Sequence, residues 1–368
     1  MLLAVRRRFG ARGAAALMVL AAFAVTRALA IAATHVGAAT MSARKHQDWA
    51  TFTPGGLRPE PPPPFLQPLQ RWDADFYLSL AESGYPPPDP ARPVYHLGFF
   101  PLYPLAIRAV AAAVGNFYWA AFALGNLCAL LAALLLVELG AIQRRADGVR
   151  AAVLFLAAPG SNFLSYPYSE SLFALALAAG LLAARSNRLA GAAVAGAAAS
   201  ATRPAGLAVA VALASVPGAR RWLTAAAATA GAVAFAAWCA HGYGDPLAFV
   251  HVQASHHRVM SVLGPLRAFF AFDVDPDFYL VTLLAIAVAA AMIRRAPSWA
   301  TVSAWFLLLL PLSTGTLEAM IRYQSSNLPL LCGVPLLVRG RWFWRAVLLC
   351  LALMCVEAVL YGQGHAHN

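Results

Sequence analysis

The chain has 368 residues, of which 61% are hydrophobic and 11% charged, with a mean hydropathy of +0.66. That leaves too little polar side chain to coat a soluble body of this size, so a soluble domain is excluded and a polytopic membrane protein is expected. The formal net charge of +12 is spread over short basic clusters without a contiguous basic domain or a recognisable binding module, so no nucleic acid is expected as a partner.

At the start of the chain, a basic segment from Arg6 to Arg12 precedes an apolar stretch at roughly 14–36. It has about the 20 residues that a bilayer crossing needs and is longer than a signal-peptide core, which predicts a retained anchor. Arg27 interrupts its outer half, an expensive position unless the guanidinium reaches an anion or a carboxylate, and a partner from the following long loop is expected.

That loop occupies 41–115. Within it, Thr53 to Pro68, with Pro61-Pro62-Pro63-Pro64, predicts an extended polyproline-like strap. Residues 99–114 are apolar but hold Pro101, Pro104 and Arg108, and a mid-membrane charge costs about 2.5–3.5 kcal/mol. They predict a hydrophobic helix lying against the outer surface.

Further apolar segments at 116–142, 150–164, 169–184, 189–201, 205–216, 222–241, 278–293, 299–313, 328–338 and 344–361 bring the total to about eleven crossings of one membrane domain, 1–368. Lys and Arg in short loops mark the cytoplasmic side. The clusters at Arg144-Arg145, Arg185 to Arg188, Arg220-Arg221, Arg294-Arg295 and Arg339 to Arg345 keep a consistent parity if 99–114 does not span. Loop 41–115, the turns 165–171, 202–204 and 314–327 and a second long loop, 242–277, then share the external side. The five cysteines sit inside apolar segments with no CxxC or Cys/His spacing, so neither a disulfide framework nor a zinc site is indicated.

Candidate chemistry collects on that external face. Asp73, after Arg71-Trp72, is placed either to cap a helix by accepting a backbone N–H or to do chemistry. On a helix over 73–83, Asp73, Tyr77 and Leu80 share one side and Asp75, Ser79 and Glu82 another, because neighbours on a helix lie three or four apart. Glu170 opens a crossing helix, where it either complements the helix dipole or binds sugar hydroxyls or a metal. Arg203 serves an anion or an internal salt bridge, with Glu170 as the partner. Arg322, beside Tyr323, either snorkels or grips phosphate oxygens. His251, His256 and His257 form a cationic set with Arg258 and lack dependable metal spacing, so phosphate contact or interfacial solvation is the expectation.

Four motifs stand in order: Arg71-Trp72-Asp73-Ala74 with Tyr77 and Gly84-Tyr85; Phe99-Phe100-Pro101-Leu102-Tyr103-Pro104-Leu105; Tyr168-Ser169-Glu170-Ser171-Leu172-Phe173-Ala174; and Ala201-Thr202-Arg203. In this order and spacing they resemble the PIG-V family, the GPI mannosyltransferase 2 group with its bacterial relatives. Weaker echoes lie at Gly244-Asp245-Pro246, Gln253 and Arg322-Tyr323.

The resemblance implies an all-α integral membrane fold of the type-C glycosyltransferase (GT-C) kind. It also implies transfer of a hexose, mannose, from a polyprenyl-phosphate donor to a glycan or glycolipid acceptor among membrane lipids. The reaction would run at the external, periplasmic face of a bacterial plasma membrane. Asp73 matches the family's Trp-Asp and is implied as the catalytic base. Asp75, Tyr77, Tyr103, Glu170, Arg203, Gln253, His256, Arg322 and Tyr323 are the expected donor and acceptor contacts. No nucleotide-binding glycine loop occurs, which fits a lipid-linked donor, and no cofactor or metal is expected. The longer Pro-rich strap and the approximate 322–329 motif depart from the family pattern. The competing classes are a transporter or flippase, which places ionisable residues at mid-membrane, and an inactive family member; nearly all acids here sit in external loops instead.

Overall fold

The computed structural model describes residues 2–42, 61–89, 94–256, 258–271 and 274–365; the side chains of residues 2–9 and of His256 lie outside that description, as does His257 entirely. The regular elements among the described residues are all helices, with no strand.

Among the described residues, three helices are long and apolar enough to cross a membrane: Gly10–Ala39, Phe117–Leu139 and Gly340–Gly362. Two bent pairs, Pro159–Ser165 with Glu170–Arg185 and Ala219–Ala228 with Ala230–Tyr243, raise that number to five. The remaining apolar helices have only 10–17 residues. The expected eleven crossings are therefore not present as eleven full-length helices. Prolines and polar turns cut several of the apolar runs short. The outward faces of the long helices are apolar, with Val25, Leu127, Leu348 and Val356 each more than half exposed, which is stable against lipid and not against water. This is a membrane protein.

Helix starts and stops follow local rules. Asn116 caps Phe117–Leu139 by accepting from the backbone N–H groups of Tyr118 and Trp119, both at 3.0 Å. Asn327 likewise accepts from the Leu330 N–H at 3.2 Å to start Leu328–Leu337. Helix Arg145–Ala157 stops at Ala158 because Pro159 follows, and the chain turns into the short helix Pro159–Ser165.

That stop explains Arg27. Its guanidinium donates to the carbonyl of Leu156 at 2.7 Å and to the carbonyl of Ser161. The carbonyls freed at a broken helix end supply acceptors inside the bundle. The expected partner in the long loop is thus replaced by a backbone one. The first and last helices meet through glycines: a Cβ on Gly37 would lie 2.1 Å from the Val359 carbonyl oxygen, and one on Gly362 2.2 Å from that of Thr34.

In the long loop, helices Asp73–Ser83 and Leu102–Val114 pack on one another, with Arg108 donating to the Ala81 carbonyl at 2.7 Å. Of the expected strap, 53–60 lies outside the described residues. Its described end folds into a turn and the short helix Gln67–Leu69, burying Leu66 and Leu69 in place of running extended.

Candidate active site

Asp73 does not cap its helix. The N-cap is Trp72, which holds φ 58° and ψ −123°, and no side chain closes the first turn. The Asp73 carboxylate instead accepts from Arg322 Nη1 through Oδ2 at 2.7 Å. Arg322 sits on the short helix Met320–Ser325, whose N-cap Ala319 is left-handed at φ 65°. Positive φ is costly for any residue with a Cβ, on the order of 1–3 kcal/mol. Two such residues immediately precede the two helices that carry this ion pair.

Arg322 is 4% exposed and has a second carboxylate nearby, Glu170 Oε1, 3.4 Å from Nε, an ion pair by distance without hydrogen-bond geometry. Glu170 in turn accepts from Arg203 Nη1 at 2.9 Å. The result is a neutral chain of four charges: Asp73, Arg322, Glu170, Arg203. Burial would pull the Arg322 guanidinium down, but Asp73 and Glu170 outweigh it and hold it far above its ordinary value. Aromatic rings complete the cage, since the Arg322 guanidinium lies 5.2 Å from the Tyr168 centroid and 5.5 Å from that of Phe163.

The chain leading into Asp73 is clamped from two sides. Tyr168 donates to the Arg71 carbonyl at 3.0 Å, and Tyr361, on the last helix, accepts from the Arg71 N–H at 3.0 Å. The helix with Arg322 is held by Gly160, whose N–H donates to Ser325 Oγ at 2.9 Å. A Cβ on Gly160 would stand 2.8 Å from the Arg322 Cα, so only glycine permits this approach.

The network lies at one wall of a cavity of about 1820 Å³. Asp73, Tyr77, Arg203, Gln253, Arg322 and Tyr323 all line it. Asp73 is the most open member of the network, with 28% of its side chain exposed against 2% for Glu170. Tyr77 donates to Ser169 Oγ at 2.8 Å, and burial raises its phenol above the ordinary value. Tyr103 and Asp75 are not part of the lining. Tyr103 is fully buried, edge-on against Tyr77 at 5.0 Å, and supports that ring from behind. Asp75 falls on the other side of its helix, as the three-and-four spacing requires, with its charge acting on Arg71. His251 pairs with Asp245 at 2.7 Å.

Sequence reasoning missed Glu318, Gly160 and Tyr361. Glu318 pairs with Arg258 at 3.0 Å on the cavity wall. The only local signal was that Gly160 directly follows a helix-breaking Pro159.

Part of this site lies in a segment that is similar to known proteins. Residues 63–216 match the mannosyltransferase (PIG-V) family. Within the chain, the GPI alpha-1,6-mannosyltransferase 2 of Rattus norvegicus is 31% identical over 118 residues, covering 29% of this chain and 23% of that protein. Its Homo sapiens counterpart is 32% identical over 119 residues with the same coverage. The match therefore spans less than a quarter of each relative's length. The matched segment contains Asp73, Tyr77, Glu170 and Arg203. Arg258, Glu318, Arg322 and Tyr323 lie beyond it, and the fold returns them to the same cavity.

Proposed function

We propose that the chain is a membrane mannosyltransferase that moves mannose from a polyprenyl-phosphate donor to a hydroxyl of a glycan or glycolipid, at the external face and with inversion. One observation carries this reading: a carboxylate at Asp73, in the PIG-V segment, faces a cavity of about 1820 Å³ while its far oxygen is fixed by a buried arginine.

In this reading Asp73 Oδ1, which accepts no hydrogen bond among the described residues, takes the proton of the acceptor hydroxyl. The hydroxyl oxygen attacks the anomeric carbon from the face opposite the lipid phosphate, the new C–O bond forms as the bond to the phosphate oxygen breaks, and the configuration inverts. Arg322 orients the base; a planar guanidinium held by Glu170 and Phe163 fixes the carboxylate more tightly than a free side chain would. Tyr77 and Arg203 shape the sugar side of the cavity, and Gln253 borders it opposite Gly98.

The test is transfer of radiolabelled mannose from polyprenyl-phosphate mannose by the purified chain in lipid vesicles. Asp73→Asn is expected to abolish transfer while the protein stays folded, and Asp75→Asn to retain most of it. Full activity in Asp73→Asn removes the assignment.

A further inference from the structure

The three arginines around Tyr323 are not equivalent. The guanidinium groups of Arg203 and Arg322 lie 5.4 Å and 5.2 Å from its ring centroid, and both belong to the Asp73–Glu170 network. Arg258 belongs to neither carboxylate. Its partner, Glu318, is 42% exposed, and its Nε is buried with no hydrogen-bond partner among the described residues. Arg258 lines the same cavity as Tyr323, Glu318, Arg322 and the proposed base Asp73.

Arg258 also stands on a fixed ledge. The Val259 N–H donates to the Thr314 carbonyl at 3.1 Å and the Ser261 N–H to the Ser313 carbonyl at 2.8 Å. Gly264 packs so closely that a Cβ would lie 2.1 Å from the Ser313 carbonyl oxygen. From this ledge the cavity wall becomes apolar through Met260, Phe278, Leu307, Leu310 and Pro311. The segment that follows Arg258 in the chain also exposes apolar side chains: Val262 is 98% exposed, Leu266 61% and Phe270 73%. One cavity thus joins an apolar wall, the Arg258 guanidinium and Asp73, and the segment that follows Arg258 is apolar and exposed.

We propose that Arg258 is the residue that holds the phosphate of the lipid-linked donor, exchanging its ion pair with Glu318 for the phosphate oxygens, while the hydrocarbon chain lies along the Met260, Phe278 and Leu310 wall and leaves over the apolar rim. This assignment rests on the transferase reading and adds the donor's orientation to it. A phosphate at Arg258 puts the leaving group at the end of the cavity nearest lipid and turns the sugar toward Asp73. Arg322 then positions the base and Arg258 receives the negative charge that builds on the departing phosphate.

The experiment is equilibrium binding of a polyprenyl monophosphate to the full chain in nanodiscs, with the uncharged polyprenol and inorganic phosphate as separate probes. Arg258→Gln is expected to weaken monophosphate binding about tenfold or more and to leave polyprenol binding unchanged. Glu318→Gln, on the more exposed side of the pair, is expected to tighten monophosphate binding, because a competing carboxylate is removed. A merely structural pair would lose binding in both variants. Equal monophosphate binding by wild type and Arg258→Gln, or weakening by Glu318→Gln, overturns the assignment, as does inorganic phosphate binding as tightly as the lipid. The two readings fail separately. Transfer with an unchanged donor KM in Arg258→Gln leaves the transferase standing without this residue, and monophosphate binding lost in Arg258→Gln by a wild type that transfers no mannose leaves the phosphate site standing without the reaction.

Discussion

Glu170 holds the buried Arg322 and the partly buried Arg203 at once, and its replacement by glutamine tests whether the four charges act as a unit. The side chain is 2% exposed, and so nearly isosteric glutamine keeps the packing while removing the charge. Arg203 and Arg322, 15% and 4% exposed, would then face only the single charge of Asp73. Removing one member of a buried ion pair costs about 3–5 kcal/mol, because the desolvated partner is left uncompensated. Arg203→Gln should cost less, since Glu170 keeps Arg322 Nε at 3.4 Å. The double variant restores neutrality and leaves the Asp73–Arg322 hydrogen bond of 2.7 Å intact. It is therefore expected to be more stable than Glu170→Gln alone, with a coupling of at least about 2 kcal/mol. Reversible unfolding in detergent micelles, followed by near- and far-UV circular dichroism, measures the three free energies. Single effects that add to within about 0.5 kcal/mol would refute the idea of a shared charge network.

Gly160→Ala places a methyl against the Arg322 backbone and is expected to destabilise the protein by about 1–3 kcal/mol and to slow transfer, read from unfolding and from kcat; unchanged values would mean that this contact does not position Arg322. Ala319→Gly relieves a left-handed alanine at φ 65°, and the gain, less the extra unfolded-state freedom of glycine, should stabilise by roughly 0.5–1 kcal/mol in the same unfolding assay. Burial alone would raise the Tyr323 phenol, but Arg258, Arg322 and Arg203 together bring it below its ordinary 10. A folded-state value below the unfolded one means that its ionised form adds stability above the unfolded value and that this is lost as the pH falls through the folded one. Ultraviolet titration of wild type against Tyr323→Phe should accordingly show one phenol ionising below pH 10 that the variant lacks.

Much of the site was legible because its pieces are local motifs. Asp73 and Tyr77 are four apart, so a helix sets them on one side, and Asp75 goes to the other wherever that helix packs. Arg203 was costly at its position without a carboxylate, and Glu170 was the nearest acid in an adjoining turn; the two are joined at 2.9 Å. Local reasoning failed where two local solutions had equal claim. Asp73 is a good helix cap by residue type, yet Trp72 takes the cap position at positive φ and frees the carboxylate for Arg322. Arg27 was expected to seek a side-chain charge and found the carbonyls of a helix ended by proline.

Composition by itself determined that the chain lives in a membrane, because hydrophobic content fixes a solvent preference whatever the fold. Spacing determined which residues share a helix face, because the helical repeat is a property of the backbone. Neither carries information about which distant segments meet. Only the tertiary structure decided that Arg322, 249 positions after Asp73, completes its ion pair, and that Tyr361 clamps the backbone before it. Those contacts depend on how helices cross, and the crossings are set by glycines such as Gly37, Gly160 and Gly362, whose missing side chains let backbones touch.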